Sequence, residues 1–163
     1  AGAVSAAAKA LSLLGADSAS NRAAIVSAGA ITPLVALLDM SNIAYVMYTA
    51  GEALWVLAGD ASSHRAIAVS GAIAPLITLF NIAGEGLLVQ RIREVAVATL
   101  LRLIAGGTCK MQLVSAGVIP AFLALQHADD ATASMRLCGA MALSALAVRN
   151  SGDGATRTRQ AAR

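Results

Sequence analysis

Three stretches of the chain share one order of apolar and polar positions. In each, a short apolar run ends at a glycine, and a longer apolar run that contains a proline follows. The glycines lie 42 and 46 residues apart, and the prolines follow them by four, four and three residues. Because glycine permits a sharp backbone turn and proline suits a first helical turn, the pattern predicts two helices that meet at a corner. The corner pairs are Gly29 and Pro33, Gly71 and Pro75, and Gly117 and Pro120.

A second marker lies between the corners, a small residue and a leucine followed by another leucine three positions later. It recurs four times, at spacings of 43, 46 and 43 residues. Two independent markers therefore give the same period. That period is too long for ankyrin or tetratricopeptide repeats, at about 33–34 residues, and fits armadillo or HEAT repeats, at about 40–47. The fourth positions of the marker are Leu13, Val56, Arg102 and Ala145.

Each repeat unit is predicted to contain three helices, one before the corner glycine, one that opens at the proline, and a longer third. Polar or glycine-rich breaks, the residue types that cap and interrupt helices, separate the second helix from the third. No segment alternates apolar and polar residues over the length of a strand. The predicted ranges are 21–28, 63–70 and 109–116 for the first helices, from the prolines to about 39, 82 and 127 for the second, and about 43–59, 87–105 and 131–148 for the third.

The segment 21–38 with its corner Ala28-Gly29-Ala30-Ile31-x-Pro33, followed by Ala53-Leu54-Trp55-x-Leu57-Ala58, resembles an armadillo repeat. The resemblance extends over nearly the whole chain, whereas HEAT repeats lack this glycine corner and three-helix layout. We therefore expect the chain to be part of a longer array. The expected division is the last helix of a preceding repeat at 1–20, repeats at 21–62, 63–108 and 109–148, and the start of a further repeat or a basic tail at 149–163.

The resemblance implies an all-α fold, a right-handed superhelical solenoid of three-helix armadillo repeats whose third helices line a concave groove. It also implies a non-catalytic scaffold for protein–protein interaction that binds a protein or peptide segment in this groove. A single unit cannot bury both faces of its helices, so such arrays are stabilised by stacking of neighbouring units. We therefore expect partly uncovered apolar faces at residues 3–14 and 135–148.

Composition argues against a disordered chain, and the positions of glycine and proline argue against a membrane span. Hydrophobic residues make up 58% of the chain and charged residues 13%, with a mean hydropathy of +0.72. The longest uncharged stretch, 66–84, approaches the length of a membrane helix, but its Ser70-Gly71 corner and Pro75 predict short buried helices instead. The two cysteines fit a reducing compartment, and we expect a location in the cytoplasm, with the nucleus as a second possibility.

The formal net charge of +3 comes from the end of the chain. Residues 149–163 hold four arginines against Asp153, while acidic and basic side chains balance over the rest. A basic tail does not indicate a nucleic-acid-binding body. Binding of nucleic acid or an anionic membrane through this end is a third hypothesis, which the lack of neighbouring aromatic residues for base stacking disfavours.

The sequence contains no nucleophile elbow, phosphate loop, His-Glu-x-x-His motif or cysteine pair at metal spacing. His64 is predicted at the start of a first helix and His127 at the end of a second, as solvated or capping groups. Cys109 and Cys138 fall on different helices, and nothing near them in sequence indicates a reactive thiolate. We therefore expect no enzyme, no cofactor, no metal and no small-molecule substrate.

Helical geometry identifies the third-helix residues that share the groove face, because positions three, four and seven apart are neighbours. In importin-α-type armadillo proteins a third-helix asparagine clamps the peptide backbone, but the matching positions here, those of the leucine marker, hold no asparagine. Importin-α-like cargo binding is therefore a weaker alternative. The candidate partner-binding residues are Tyr45, Tyr48, Glu52, Arg91, Glu94, Arg102 and Met141.

Two simpler interpretations of this face remain open. One is an ordinary solvated stripe, in which Arg91 pairs with Glu94 three residues later. The other is a purely architectural role, in which this segment only continues a longer solenoid within a multidomain protein. The partner itself cannot be identified from these residues.

Overall fold

The computed structural model describes residues 2–39 and 43–160, with side chains described up to residue 147. The described residues form ten α-helices and no strand, which confirms the expected all-α fold. The helices are α1 (Gly2–Ala16), α2 (Ala19–Ser27), α3 (Ile31–Ala36), α4 (Ala44–Leu57), α5 (Ala61–Val69), α6 (Ile73–Phe80), α7 (Leu87–Gly106), α8 (Lys110–Ser115), α9 (Val118–His127) and α10 (Ala133–Gln160).

The last helix continues well beyond the end predicted at about residue 148. The side chains of residues 149–163, and the whole of 161–163, lie outside the described residues. The predicted further repeat or basic tail there, like the division of the chain into repeats, stays a prediction.

The predicted corners are confirmed by the backbone of the three glycines. Gly29 and Gly71 have φ of +79° and Gly117 has φ of +83°, all in the left-handed region that glycine enters without strain. After the first of these corners, the amide of Ala30 donates to the carbonyl of Ile25, and Ala72 donates to Ile67 in the same way after the second. These are the closing hydrogen bonds of a helix that ends at a left-handed residue.

The second helices begin two residues before the predicted positions, at Ile31, Ile73 and Val118. Each proline is therefore the third residue of its helix rather than the first. The correction has a simple reason, because the amides of the whole first turn lack an acceptor within the helix. A proline anywhere in that turn removes a donor that would have stayed without an intrahelical partner.

The helices stack in a regular order along the chain. The long helices α1, α4, α7 and α10 pack side by side in sequence, and each of α3, α6 and α9 packs on the long helix that follows it. Small residues permit close crossings, since a Cβ added at Gly51 of α4 would lie 3.0 Å from Val95 Cγ1 of α7. Between neighbouring second helices, Phe80 and Phe122 stack with ring centroids 5.8 Å apart. One continuous apolar core therefore extends through the units.

Side chains on the first helices form hydrogen bonds with backbone carbonyl groups at the C-terminal ends of the preceding long helices. Arg22 Nη1 donates to the carbonyl oxygen of Gly15 at 2.8 Å, and His64 Nε2 lies 2.9 Å from that of Ala58. Of the two roles expected for His64, solvated or capping, the structure shows the second, because the ring is 4% exposed and serves as a buried cap. Its Nδ1 has no hydrogen-bond partner and faces Gly106, where a Cβ would collide with the ring.

Within the described ranges, no single helix is long and apolar enough to cross a membrane. The pair α5 and α6 meets the criteria of length and composition only when the two are taken together, and they are bent by 89° at the Gly71 corner.

Candidate functional site

The long helices α4, α7 and α10 form the walls of an open groove, which we call the central groove. Its volume is about 260 Å³. Four of the predicted contact residues meet there, two from α4 and two from α7, and α10 supplies a further wall. The lining residues are Tyr48, Glu52, Trp55, Arg91, Glu94, Val95, Val97, Ala98, Ser134, Met135 and Cys138.

On one side of the central groove, Glu52 is held by two partners within the chain. Tyr48 Oη donates to Glu52 Oε1 at 2.9 Å, and Lys9 Nζ of α1 donates to Oε2 at 2.7 Å. The hydrogen bond to Glu52 raises the pKa of Lys9, while burial and then the same carboxylate raise the pKa of Tyr48. Both carboxylate oxygens are therefore occupied, and Glu52 serves to position Tyr48 and to join α1 to α4.

The opposite wall carries two charged side chains, Arg91 and Glu94, that make weaker contacts within the chain than Glu52 does. Arg91 is exposed, and in the part of the chain that the structure describes no ion pair joins it to Glu94. The predicted alternative of pairing between these two residues is therefore not formed. Glu94 accepts a long hydrogen bond from Thr132 Oγ1 at 3.3 Å. Burial, and then the nearby Glu94 carboxylate, raise the pKa of the Cys138 thiol beside it.

Arg102 differs from the other candidates, because its guanidinium is bound within the chain. Its Nη1 donates to the backbone carbonyl of Trp55 at 2.6 Å, and its guanidinium lies 3.9 Å from the centroid of the indole ring. Burial, and then the charge of Arg22, lower the pKa of this arginine. Arg102 therefore links α7 to the end of α4. It also packs on the ring of Trp55, which lines the central groove.

The two remaining candidates lie outside the groove lining. Tyr45 is exposed one turn before Tyr48, with the ring centroids 6.3 Å apart, and could extend the groove at that end. Met141 is exposed on α10 but does not line the groove. Helical spacing missed Trp55, Met135 and Cys138, since their place in the groove depends on how neighbouring units stack.

The positions that hold the backbone-clamping asparagines in importin-α-type proteins do not form a polar row here. Leu13 is exposed, Val56 is buried, Arg102 is bound to Trp55, and Ala145 has no polar side chain. No side-chain amide is therefore available at these positions to grip the backbone of a bound peptide.

Potential chemical groups elsewhere are few and dispersed. Among the described residues no group of three or more His, Cys, Asp or Glu side chains could hold a metal ion. Cys109 and Cys138 are both free thiols, and the buried Cys109 Sγ donates to the carbonyl of His64 at 3.2 Å. These contacts are structural and assemble no nucleophile with a base.

Comparison with solved structures finds designed proteins of similar architecture. A designed armadillo repeat protein has a TM-score of 0.77 and 28% identity, over 88% of this chain and 58% of that one. Another, in complex with the peptide (KR)4, has a TM-score of 0.75 and 27% identity, over 88% of this chain and 57% of that one. A third was computationally designed for modular peptide recognition and has a TM-score of 0.76 and 28% identity, over 87% and 57%.

The chain thus spans less than three-fifths of the length of each of these three proteins. No protein-family model matches it, and neither does any curated protein.

Proposed function

We propose that this chain, an armadillo-like repeat solenoid, is a non-catalytic interaction scaffold that binds a peptide segment of a partner protein in the central groove. The observation that carries the proposal is the placement of Tyr48, Trp55, Arg91 and Glu94 around one open groove between three long helices. Tyrosine, tryptophan and arginine are the residue types that most often dominate binding energy at interfaces.

Side chains rather than backbone clamps would select the partner. Arg91 is the exposed cation of the groove, so it favours an acidic residue on the partner, while Glu94 favours a donor close by. The apolar floor that includes Trp55 and Met135 accommodates an apolar residue between them. The partner segment is therefore expected to carry an apolar residue flanked by opposite charges.

The solved relatives support peptides as the class of ligand, since one is bound to (KR)4 and another was designed for modular peptide recognition. A purely basic peptide suits the present groove poorly. One of its two carboxylates, Glu52, is already neutralised by Lys9, and Arg91 would repel a nearby cation.

Selection of peptides from a displayed random library tests the proposal directly. The affinity of enriched peptides is then measured for the wild type, for Arg91→Ala, and for the control Arg65→Ala, which removes an exposed arginine from α5 outside the groove. We expect Arg91→Ala to weaken binding by about 1–2 kcal/mol, about tenfold in Kd, while Arg65→Ala leaves it unchanged.

Two outcomes contradict the proposal. If the enriched peptides bind Arg91→Ala and Glu94→Ala as tightly as the wild type, the binding surface lies outside the central groove. A selection that enriches no peptide would favour the architectural alternative, to which the internal contacts of Glu52 and Arg102 already give some support.

We further propose that the chain needs no cofactor and acts in a reducing compartment, the cytoplasm or nucleus. The two unpaired cysteines support that placement.

A further inference from the structure

The charge balance of the central groove depends on a residue outside its lining. The lining contains three charged side chains, the acidic Glu52 and Glu94 and the basic Arg91. These three leave one negative charge uncompensated. Lys9 of α1 is not a lining residue, but its Nζ lies 2.7 Å from Glu52 Oε2, and this ion pair brings the balance to zero.

The internal repeat explains why Lys9 and Glu52 meet. A shift of 43 residues places Lys9 on Glu52, and further shifts of 46 and 43 residues lead to Ala98 and Met141. The four residues therefore hold equivalent positions on α1, α4, α7 and α10, the long helices that pack side by side. Since Ala98 carries no charge, the cation at this position that can reach Glu52 comes from α1 and not from α7.

Lys9 takes the place that a cation of a bound peptide would otherwise occupy. Glu52 Oε1 accepts a hydrogen bond from Tyr48 Oη at 2.9 Å, and Oε2 accepts one from Lys9 Nζ. The hydrogen bond to Glu52 raises the pKa of Lys9, so the ammonium group is charged at neutral pH. A ligand lysine or arginine at this end would meet a positive charge and would have to break the ion pair before it reached the carboxylate.

We propose that Lys9 is a specificity-determining residue of the central groove, which excludes basic side chains of a partner from the end formed by Tyr48 and Glu52. This inference rests on the proposed function, the binding of a peptide segment in the central groove. It implies that the partner places an uncharged or acidic residue at this end and a basic residue near Glu94. Without the Lys9 charge, Glu52 is free to accept a cation and the groove becomes acidic.

The peptide (KR)4, which is bound in one of the solved relatives, is the probe for this inference. The labelled peptide is titrated with the wild type and with Lys9→Met at low ionic strength and followed by fluorescence anisotropy. Methionine keeps an unbranched apolar side chain and removes the charge. We expect Lys9→Met to bind (KR)4 at least about fivefold more tightly than the wild type, and the gain to shrink as salt is added.

Three variants serve as controls. Lys9→Arg keeps the charge and should bind like the wild type. Lys9→Met combined with Glu52→Gln should also return to the affinity of the wild type, because the gain depends on the freed carboxylate. Lys110→Met removes the same charge from α8, outside the groove lining, and should have no effect. Circular dichroism verifies that each variant is folded, and Lys9→Gln replaces Lys9→Met if the latter is not.

Three results would overturn the inference: no gain in Lys9→Met, an equal gain in Lys110→Met, or a gain that persists when Glu52→Gln is added. Peptides selected on the wild type test the proposed function separately. If they bind in the central groove while Lys9→Met gains no affinity for (KR)4, the role of Lys9 is wrong and the proposed function stands. If the wild type selects no peptide, the proposed function fails, whereas a gain in Lys9→Met that requires Glu52 would still support the role of Lys9.

Discussion

At the corners between first and second helices, glycine is required by backbone conformation and not by lack of space. A Cβ added at Gly29 or Gly71 would meet no atom within 4 Å, yet both residues have a φ of +79°. Gly51 shows the opposite case, since its φ is not positive and an added Cβ would press on Val95 of the next long helix. Two physical reasons for glycine are therefore present in one repeat unit.

Replacement of Gly71 separates these reasons experimentally. We expect Gly71→Val to lower the free energy of unfolding by about 1–3 kcal/mol, the cost of a β-branched residue at positive φ. Gly71→Asn should cost less, because asparagine enters the left-handed region more readily. Thermal or urea unfolding of both variants measures the difference. If both variants lose the same free energy of unfolding, the cost does not arise from the positive φ.

At the scale of helices, the local sequence pattern predicts which helices form and in what order. It predicts the contacts between units less well. The corner glycines and the apolar spacing predicted all of the described helices, with ends displaced by a few residues except at the end of α10, which lies at Gln160 instead of about residue 148. The environments of His64 and Arg102 were not predictable in this way. Arg102 bonds to Trp55, 47 residues earlier, and such a contact depends on how two units stack rather than on the periodicity of either helix. The same applies to the composition of the central groove.

An ion pair across units gives a prediction at this scale. Arg22 of α2 makes two hydrogen bonds, of 2.6 and 3.0 Å, to the carboxylate of Asp60, the residue that directly precedes α5. The hydrogen bonds from Arg22 outweigh burial and, with the charge of the same arginine, lower the pKa of Asp60 below its ordinary value of 3.8. A carboxylate whose pKa is lowered by folding stabilises the fold above that ordinary value, and the contribution is lost as the pH falls through the folded-state pKa.

We therefore expect Asp60→Asn to melt at a lower temperature than the wild type at neutral pH, and the difference to shrink as the pH falls below 3.8 and through the folded-state pKa of Asp60. Asparagine keeps the shape of the residue, and the Asp60 side chain makes no capping hydrogen bond to α5, so the comparison isolates the charge. Melting curves of both proteins from neutral to acidic pH provide the measurement. A difference that persists unchanged in acid would assign the effect to lost packing instead of the ion pair.

For the whole molecule, stacking of similar units makes stability depend on position along the array. Each long helix is stabilised chiefly by its immediate neighbours, as in other repeat proteins. α4 and α7 have a long helix on each side and a second helix packed on them, and Leu54 and Leu100 at their centres are fully buried. α1 has one long neighbour, and Val4, Leu13 and Leu14 on its surface are exposed. Within the described residues, α4 and α7 are thus better supported by neighbouring helices than α1 is.

Hydrogen exchange under native conditions should follow this gradient. We expect amides of α4 and α7 to exchange slowest among the long helices and those of α1 to exchange much faster, because α1 can open without disrupting the buried layers around Leu54 and Leu100. Mass spectrometry of peptic fragments, with intrinsic rates taken from the unfolded chain, measures the protection of each helix. A ligand in the central groove should slow exchange in α4 and α7 more than in α1. Uniform protection along the array would mean that the units unfold together, and that the exposed surface of α1 does not weaken its attachment.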